Sequence, residues 1–144
     1  MASQNKTFFD TNILVYQFDR AMPDKRRRAQ ELVQKGLREQ TAVISSQVVQ
    51  EFLNVALKKF DITIPVEELG LVMLDLLRPL CRHVPSLEFY DRTLGLYRQQ
   101  SLSFYDALII QAALDLGCRV LYSEDLQAGH QYGDLTIVNP FKQS

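Results

Sequence analysis

Four acidic residues of this chain occupy positions where a carboxylate could do chemistry rather than only face solvent. Asp10 directly follows a strand-like stretch with two phenylalanines, so its side chain is expected at the end of a buried strand. Glu51 has Val48 three residues before it and Val55 four residues after it, which puts it on or beside the apolar face of a helix. Because a lone carboxylate there is costly, it predicts a compensating partner.

Two further carboxylates, Asp106 and Asp125, are predicted at the same edge of the fold. Asp106 falls in the first turn of a helix that Ser103 can cap, and a helix antiparallel to the strands begins at their carboxyl ends. Asp125 follows by three residues the strand that ends at Tyr122. Taken singly, each of the four acids has a structural interpretation as a helix cap, a turn former or a residue that reaches solvent.

Brought together, the four carboxylates predict a cation site. Each pair at ~5 Å repels by about 3 kcal/mol in an effective dielectric of ~20, and only Arg20 and Arg119, both at a distance, offer positive charge near these acids in sequence. A divalent cation compensates better, and a set of oxygen ligands favours Mg²⁺ or Mn²⁺ over zinc. One or two such ions suit in-line attack of water on a phosphodiester, so the cluster predicts hydrolysis of a nucleic acid backbone.

The elements that must position these acids alternate between strands and helices. Such alternation implies right-handed crossovers, so we predict the α/β class: a three-layer α/β/α sandwich with a mostly parallel central sheet. Ligands of such sheets gather at the carboxyl ends of the strands. Strands are predicted at 7–9, 41–44, 82–84, 119–122 and 136–138, with 13–16 also of strand type, and helices at 24–39, 47–59, 65–77, 86–100 and 103–117.

Length and composition limit the class of protein. A chain of 144 residues with 47% hydrophobic and 23% charged residues predicts one folded domain over 1–144, and excludes disordered, collagen-like and disulfide-dense chains. No apolar run approaches the ~18 residues of a membrane span, and the N-terminal residues lack the order of a secretory signal. We therefore expect a cytoplasmic protein with no membrane partner, in which Cys81 and Cys118 are reduced, buried thiols.

Five segments of the sequence together resemble the PIN-domain nucleases, and most closely the VapC-like toxins. The resemblance covers nearly the whole chain and implies a Mg²⁺- or Mn²⁺-dependent endoribonuclease with a PIN-like fold. It also implies an RNA substrate, a homodimer and a cognate antitoxin as a partner. The segments are 8–14 (FFDTNIL), 49–52 (VQEF), 103–107 (SFYDA), 121–126 (LYSEDL) and 138–141 (VNPF).

The resemblance also assigns roles to single residues. Asn12 and Ser123 match positions that, in the family, hydrogen-bond to the acids and orient them. Whether Asp125 or its neighbour Glu124 is the fourth acid stays open, as does the number of metal ions. The implied catalytic and metal-binding residues are Asp10, Glu51, Asp106 and Asp125.

Some features have two interpretations. The basic run Lys25, Arg26, Arg27 and Arg28 could contact RNA phosphates, but acidic residues on the same helix favour a solvated face. Tyr105 could stack on a base, although an aromatic residue here is more often part of a core. The helix predicted at 65–77 is apolar nearly all round, so it lies inside the domain or forms the dimer surface.

Three other functions are compatible with the sequence. One is a housekeeping PIN-type nuclease without an antitoxin. Another is a non-catalytic module whose acidic groove captures a basic partner segment. The third is a phosphohydrolase that forms an aspartyl-phosphate on Asp10, which is disfavoured because Asn12 replaces the second acid of the usual Asp-x-Asp and no lysine follows to stabilise the intermediate.

Overall fold

The computed structural model describes residues 5–58, 61–62 and 64–142, which form an α/β fold around a mostly parallel sheet. The strand order is β3-β2-β1-β4-β6-β5, and each neighbouring pair is parallel except β5 with β6. The predicted fold class is therefore confirmed. The strands are β1 (Thr7–Phe9), β2 (Ala42–Ser45), β3 (Cys81–His83), β4 (Val120–Tyr122), β5 (Gln131–Tyr132) and β6 (Leu135–Val138).

Helices connect these strands and cover the sheet. Ser103 caps a helix as predicted, accepting a hydrogen bond from the Asp106 N–H at 3.1 Å, and Ser86 caps another by accepting one from the Phe89 N–H at 3.1 Å. The helices are α1 (Thr11–Tyr16), α2 (Pro23–Glu39), α3 (Ser46–Lys58), α4 (Val66–Val72), α5 (Arg78–Leu80), α6 (Leu87–Gln99) and α7 (Phe104–Asp115), with a π-helical turn (Met73–Leu77) between α4 and α5.

Residues 13–16 correct the sequence prediction, because they are helical and not a strand. Asp10 ends β1 and caps α1 by accepting a hydrogen bond from the Thr11 N–H at 2.8 Å. One helical turn then buries Ile13, Leu14 and Val15. A helix can bury these apolar residues as well as a strand can, and the N-cap at Asp10 favours the helix.

The most enclosed helix is α7 and not the predicted apolar helix at 65–77. Residues 107–113 of α7 are all buried, with α6 packed against it. In the segment from α4 to α5, by contrast, Leu71 and Leu74 remain 61% and 52% exposed. The segment therefore does not lie inside the domain, and its alternative role as a dimer surface stays a prediction.

Two other expectations can be compared with the structure. Both cysteines are free, but only Cys118 is buried, and burial raises the pKa of its thiol to about 12. Cys81 is half-buried, so its predicted full burial is wrong. None of the helices that the structure describes is both long and apolar enough to cross a membrane.

The order of the strands fixes where a ligand site can form. The chain moves from β1 to β2 and β3 on one side, while β4 lies on the other side of β1. The order thus reverses between β1 and β4, and in open α/β sheets ligands bind at such a point, outside the carboxyl ends of the strands. Asp10 follows β1 and Asp125 lies three residues beyond β4, so both belong to this point.

Candidate active site

Asp10 lies at the carboxyl end of β1 with both carboxylate oxygens engaged. Its backbone N–H donates to the Tyr122 carbonyl at 3.0 Å, which extends the pairing of β1 with β4 by one residue. Its Oδ1 accepts from the Thr11 N–H at 2.8 Å, and its Oδ2 accepts from Ser123 Oγ at 2.7 Å. The carboxylate is therefore held in one orientation by Thr11 and Ser123, which lie just beyond the ends of the two central strands.

Burial raises the pKa of Asp10 to about 6, well above its ordinary value of 3.8. The hydrogen bonds from Ser123 and Thr11 oppose this rise, while the negative charges of Glu51 and Asp125 add to it. Geometry places the two acids close to Asp10, because Thr11 hydrogen-bonds to both Asp10 and Glu51, and Ser123 to both Asp10 and the backbone of Asp125. In the described part of the chain, no lysine or arginine forms an ion pair with any of the three.

Ser123 connects Asp10 to the turn that carries Asp125. The serine is fully buried, and its Oγ accepts from the backbone N–H groups of Asp125 at 3.2 Å and Leu126 at 3.1 Å. Asp125 itself accepts a hydrogen bond on Oδ2 from Asn12 Nδ2 at 3.0 Å. Asn12 and Ser123 thus each donate to one of the predicted acids.

Glu51 approaches the same site from α3. Its Oε1 accepts a hydrogen bond from Thr11 Oγ1 at 2.9 Å. Thr11 is not among the site residues predicted from the sequence, although a hydroxyl residue directly after Asp10 is a signal that could identify it. Glu51 and Asp125 line one open cavity of about 470 Å³, together with Thr11 and Asn12.

Asp106 is placed less closely than the other three acids. It lies half-buried in the first turn of α7, and the start of α7 contacts the start of α3 through a 3.4 Å hydrogen bond from Gln47 Nε2 to the Tyr105 carbonyl. Among the described residues, no hydrogen bond joins Asp106 to Asp10, Glu51 or Asp125. Tyr105 is exposed, so its interpretation as a core residue is wrong.

Glu124 is occupied by a different set of contacts. It accepts hydrogen bonds from Tyr16 Oη and from Lys25 Nζ, and the lysine also forms an ion pair with it. Although burial acts to raise it, these contacts hold the pKa of Glu124 below its ordinary value. The charge of Glu124 is therefore already compensated, whereas that of Asp125 is not.

The basic run on α2 makes several contacts within the chain. Lys25 is committed to Glu124, and its Nζ also lies over the rings of Tyr16 and Phe141, 5.0 Å and 5.7 Å from their centroids. Arg27 pairs with Asp24 at 2.7 Å, and Arg28 lies 3.9 Å from Glu31 and donates to the Pro140 carbonyl. Arg26 is half-buried.

The residues present fit a hydrated, hard divalent cation. The side-chain atoms at the site that could bind a cation are oxygen atoms. One of them, Asn12 Oδ1, is buried without a hydrogen-bond partner in the part of the chain that the structure describes. Among those residues, the structure contains no group of three or more His, Cys, Asp or Glu side chains placed to bind one metal ion. Mg²⁺ does not need one, since it keeps several waters and binds proteins through one or two carboxylates.

The comparisons with known proteins agree with this architecture. The family model for the PIN domain matches residues 7–131. No curated protein matches the sequence significantly. The solved structures below are each less than 25% identical to this chain, so they establish similarity of fold alone.

Three solved structures resemble the whole chain or most of it. One is a chain of a toxin–antitoxin complex from Klebsiella pneumoniae, with a TM-score of 0.66 and 20% identity over 96% of this chain and 100% of that chain. The second is FitAcB from Neisseria gonorrhoeae, with a TM-score of 0.63 and 17% identity over 95% and 99% of the two chains.

The third is VapC20 from Mycobacterium tuberculosis, described as a toxin that cleaves the sarcin–ricin loop, with a TM-score of 0.57 and 14% identity over 83% and 90% of the two chains. The resemblance to PIN-domain proteins that the motifs indicated is thus confirmed, and the fold is also similar to that of a VapC protein. Since the family model spans well over half of the sequence, this chain belongs to the PIN-domain family.

Proposed function

We propose that this protein is a divalent-cation-dependent endoribonuclease whose catalytic residues are Asp10, Glu51, Asp106 and Asp125. The observation that carries the proposal is the environment of Asp10. A half-buried carboxylate is fixed by two donors at the reversal point of the sheet, next to two further carboxylates, and none of them has a cationic partner among the described residues. A structural aspartate has no need of acidic neighbours, whereas a cation site does.

The geometry supports a division of labour among the acids. Asp10, Glu51 and Asp125 would hold Mg²⁺ or Mn²⁺ directly or through water, with Asp10 oriented by Ser123 and Asp125 by Asn12. When bound, the cation supplies charge neutralisation at the phosphate and lowers the pKa of water. Asp106 would contact the site from the start of α7.

Hydrolysis of the phosphodiester then requires the chain to position water for in-line attack on phosphorus. The bond from phosphorus to the 3′ oxygen of the preceding nucleotide breaks, leaving a 3′-hydroxyl and a 5′-phosphate. The cavity of about 470 Å³ beside Thr11 and Asn12, into which Glu51 and Asp125 bring their carboxylates, is open to solvent and can admit the backbone and this water.

Asp125, and not Glu124, is our choice for the fourth acid. Glu124 is already neutralised by Lys25 and Tyr16, so a cation would gain little from it. Both acids line the open cavity, but Asp125 is the one whose negative charge acts on Asp10. For the same reason Lys25 is a poor candidate for RNA binding, and Arg26, Arg27 and Arg28 remain weak candidates.

We also propose a biological setting, as the toxin of a cytoplasmic toxin–antitoxin pair. Two proteins of similar fold support the proposal, one from a toxin–antitoxin complex and one a toxin that cleaves the sarcin–ricin loop. The exposed Leu71 and Leu74 supply an apolar surface suited to a homodimer. Light scattering on the wild type and on Leu74→Glu tests the dimer, and a monomeric wild type would overturn it.

Cleavage of RNA tests the proposed activity. The purified protein is incubated with end-labelled single-stranded RNA and Mg²⁺ or Mn²⁺, beside Asp10→Asn, Glu51→Gln, Asp106→Asn and Asp125→Asn. Asp24→Asn, an exposed acid on α2, is the matched control. We expect metal-dependent products with 5′-phosphate ends from the wild type and the control, and a loss of at least 100-fold in Asp10→Asn. Equal cleavage by wild type and Asp10→Asn would exclude this active site, and binding of basic peptides without cleavage would favour a non-catalytic module.

A further inference from the structure

We propose that a cavity beside the acidic cluster binds one unpaired nucleobase of the RNA substrate; the inference rests on the proposed function. The cavity, of about 280 Å³, lies between the starts of α3, α6 and α7. We call it the aromatic cavity. Its walls include Gln47, Gln50, His83, Tyr90, Phe104 and Tyr105.

Exposed aromatic side chains are concentrated at this cavity. Tyr105 is 68% exposed, and Phe104 and Tyr90 are each 39% exposed. The rings of Phe104 and Tyr105 meet edge to face, with centroids 5.8 Å apart. Aromatic rings left open to solvent beside a nucleic acid site are suited to stacking on bases, because every base has a π-face to offer.

The described walls of the cavity lack the positive charge that would favour binding of a phosphate. No Asp, Glu, Lys or Arg lines it among the residues that the structure describes. Burial lowers the pKa of His83 although Asp115, 3.7 Å away, acts to raise it, so the imidazole is predominantly neutral at pH 7. A neutral cavity with aromatic walls favours a flat, uncharged ring over a charged backbone group.

Polar groups in the cavity can read the edge of such a ring. Gln47 Nε2 donates to the Tyr105 carbonyl at 3.4 Å and so ties α7 to α3. Gln50 is exposed on α3, and its amide offers both donor and acceptor. A glutamine amide can form such a pair of hydrogen bonds with the edge of adenine. The cavity itself specifies only a base and not which one.

The cavity is connected to the proposed acids through the chain. Gln50 directly precedes Glu51 on α3, and Tyr105 directly precedes Asp106 on α7. A phosphodiester held at the acids would therefore have a neighbouring nucleotide within reach of the cavity. This placement favours an RNA base over a segment of a partner protein as the occupant.

Binding of RNA without cleavage tests the proposal. In the Asp10→Asn background we compare Tyr105→Ala with Tyr105→Phe, and use Tyr97→Ala, an exposed tyrosine of α6 that does not line the cavity, as the matched control. The probe is a fluorescent single-stranded RNA heptamer, measured by anisotropy. We expect roughly tenfold weaker binding for Tyr105→Ala and unchanged binding for the other two, because stacking needs a ring and not a hydroxyl.

A second probe and a second variant guard against indirect effects. In a series of heptamers, one abasic nucleotide is moved along the sequence. The difference in RNA affinity between the parent protein and Tyr105→Ala should disappear when the abasic nucleotide is at one position only. Gln50→Ala, on an exposed position of α3, should weaken binding by a smaller factor. Melting temperatures of all variants check the fold.

The outcomes separate this inference from the proposed function. If the wild type cleaves RNA while Tyr105→Ala binds the heptamer as tightly as its parent, the aromatic cavity is not a base site and the nuclease stands. If the wild type does not cleave RNA with Mg²⁺ or Mn²⁺, the proposed function fails first.

Discussion

Ser123 donates a 2.7 Å hydrogen bond from its Oγ to Asp10 Oδ2, across the boundary between the two central strands β1 and β4. The same oxygen accepts from the backbone N–H groups of Asp125 and Leu126. One buried hydroxyl therefore fixes both the orientation of Asp10 and the turn that presents Asp125.

Replacing Ser123 with alanine should weaken the site more than the fold. The change removes the side-chain donor to Asp10 and leaves two backbone N–H groups without their acceptor, which costs about 1–3 kcal/mol of unfolding free energy. Losing a group that orients a metal ligand lowers metal affinity or activity by roughly 10–100-fold. Mn²⁺ affinity and RNA cleavage are measured against Ser101→Ala, an exposed serine; unchanged affinity in Ser123→Ala would contradict this role.

Replacing Asp10 with asparagine should abolish activity yet stabilise the metal-free protein at neutral pH. Because the folded-state pKa of about 6 exceeds the ordinary value of 3.8, ionised Asp10 destabilises the native state. The penalty is absent below pH 3.8 and grows as pH rises through 6, to about 3 kcal/mol. Asparagine avoids it but loses about 1 kcal/mol with one hydrogen bond, so a net gain of about 2 kcal/mol is expected at pH 7.

Urea unfolding with a chelator present, at pH 4 to 8, measures this difference. The two stability curves should diverge as pH rises. Parallel curves would show that Asp10 carries no burial penalty and would remove the main physical reason for a cation at this position.

Lys25 is expected to act as a structural residue and not as an RNA ligand. Lys25→Met removes the ion pair with Glu124 and should cost about 2 kcal/mol of unfolding free energy. Arg27→Met breaks a surface pair with Asp24 and should stay within about 0.5 kcal/mol. The salt dependence of RNA affinity, which counts phosphate contacts, should not change with Lys25→Met; a lower slope would assign Lys25 to the substrate.

The Lys25–Glu124 pair also predicts a loss of stability in acid. The pKa of Glu124 lies below its ordinary value of 4.5, so its contribution is present above that pH and is lost as pH falls through the folded-state pKa. Glu124→Gln should therefore be less stable than wild type at pH 7, with the gap closing below pH 4.5. Denaturation curves at pH 3 to 7 measure it, and a constant gap would contradict the ion pair.

Much of the fold follows from local patterns in the sequence. The strands around Phe8, Val43 and Ile137 are short apolar runs, and the helix starts at Ser86 and Ser103 carry their own caps. These features need no knowledge of distant residues, so they could be read from the chain.

Other parts depend on contacts that a single stretch of sequence does not contain. Residues 13–16 have strand-type composition, but the cap at Asp10 makes them helical. β5 has only two residues and exists because Gly133, at φ 60°, turns the chain back to pair with β6. The π-helical turn at Met73–Leu77 has no signal in the apolar pattern around it.

The site divides in the same way. The types and spacing of Asp10, Glu51 and Asp125 predict carboxylates at one sheet edge, and the structure brings these three within electrostatic reach of one another through Asp10. The hydrogen bond from Thr11 to Glu51 and the capture of Glu124 by Lys25 join residues far apart in sequence. Such pairs are set by the packing of α1, α2 and α3 around the sheet.

Calorimetric titration of Mn²⁺ into the wild type and Asp10→Asn tests the central claim most directly, because it requires no substrate and no partner protein. We predict saturable binding by the wild type, and at least tenfold weaker binding by Asp10→Asn, since that change removes a charged oxygen ligand while keeping the side-chain shape. Equal affinities, or no binding by the wild type, would contradict the assignment of a cation site to Asp10.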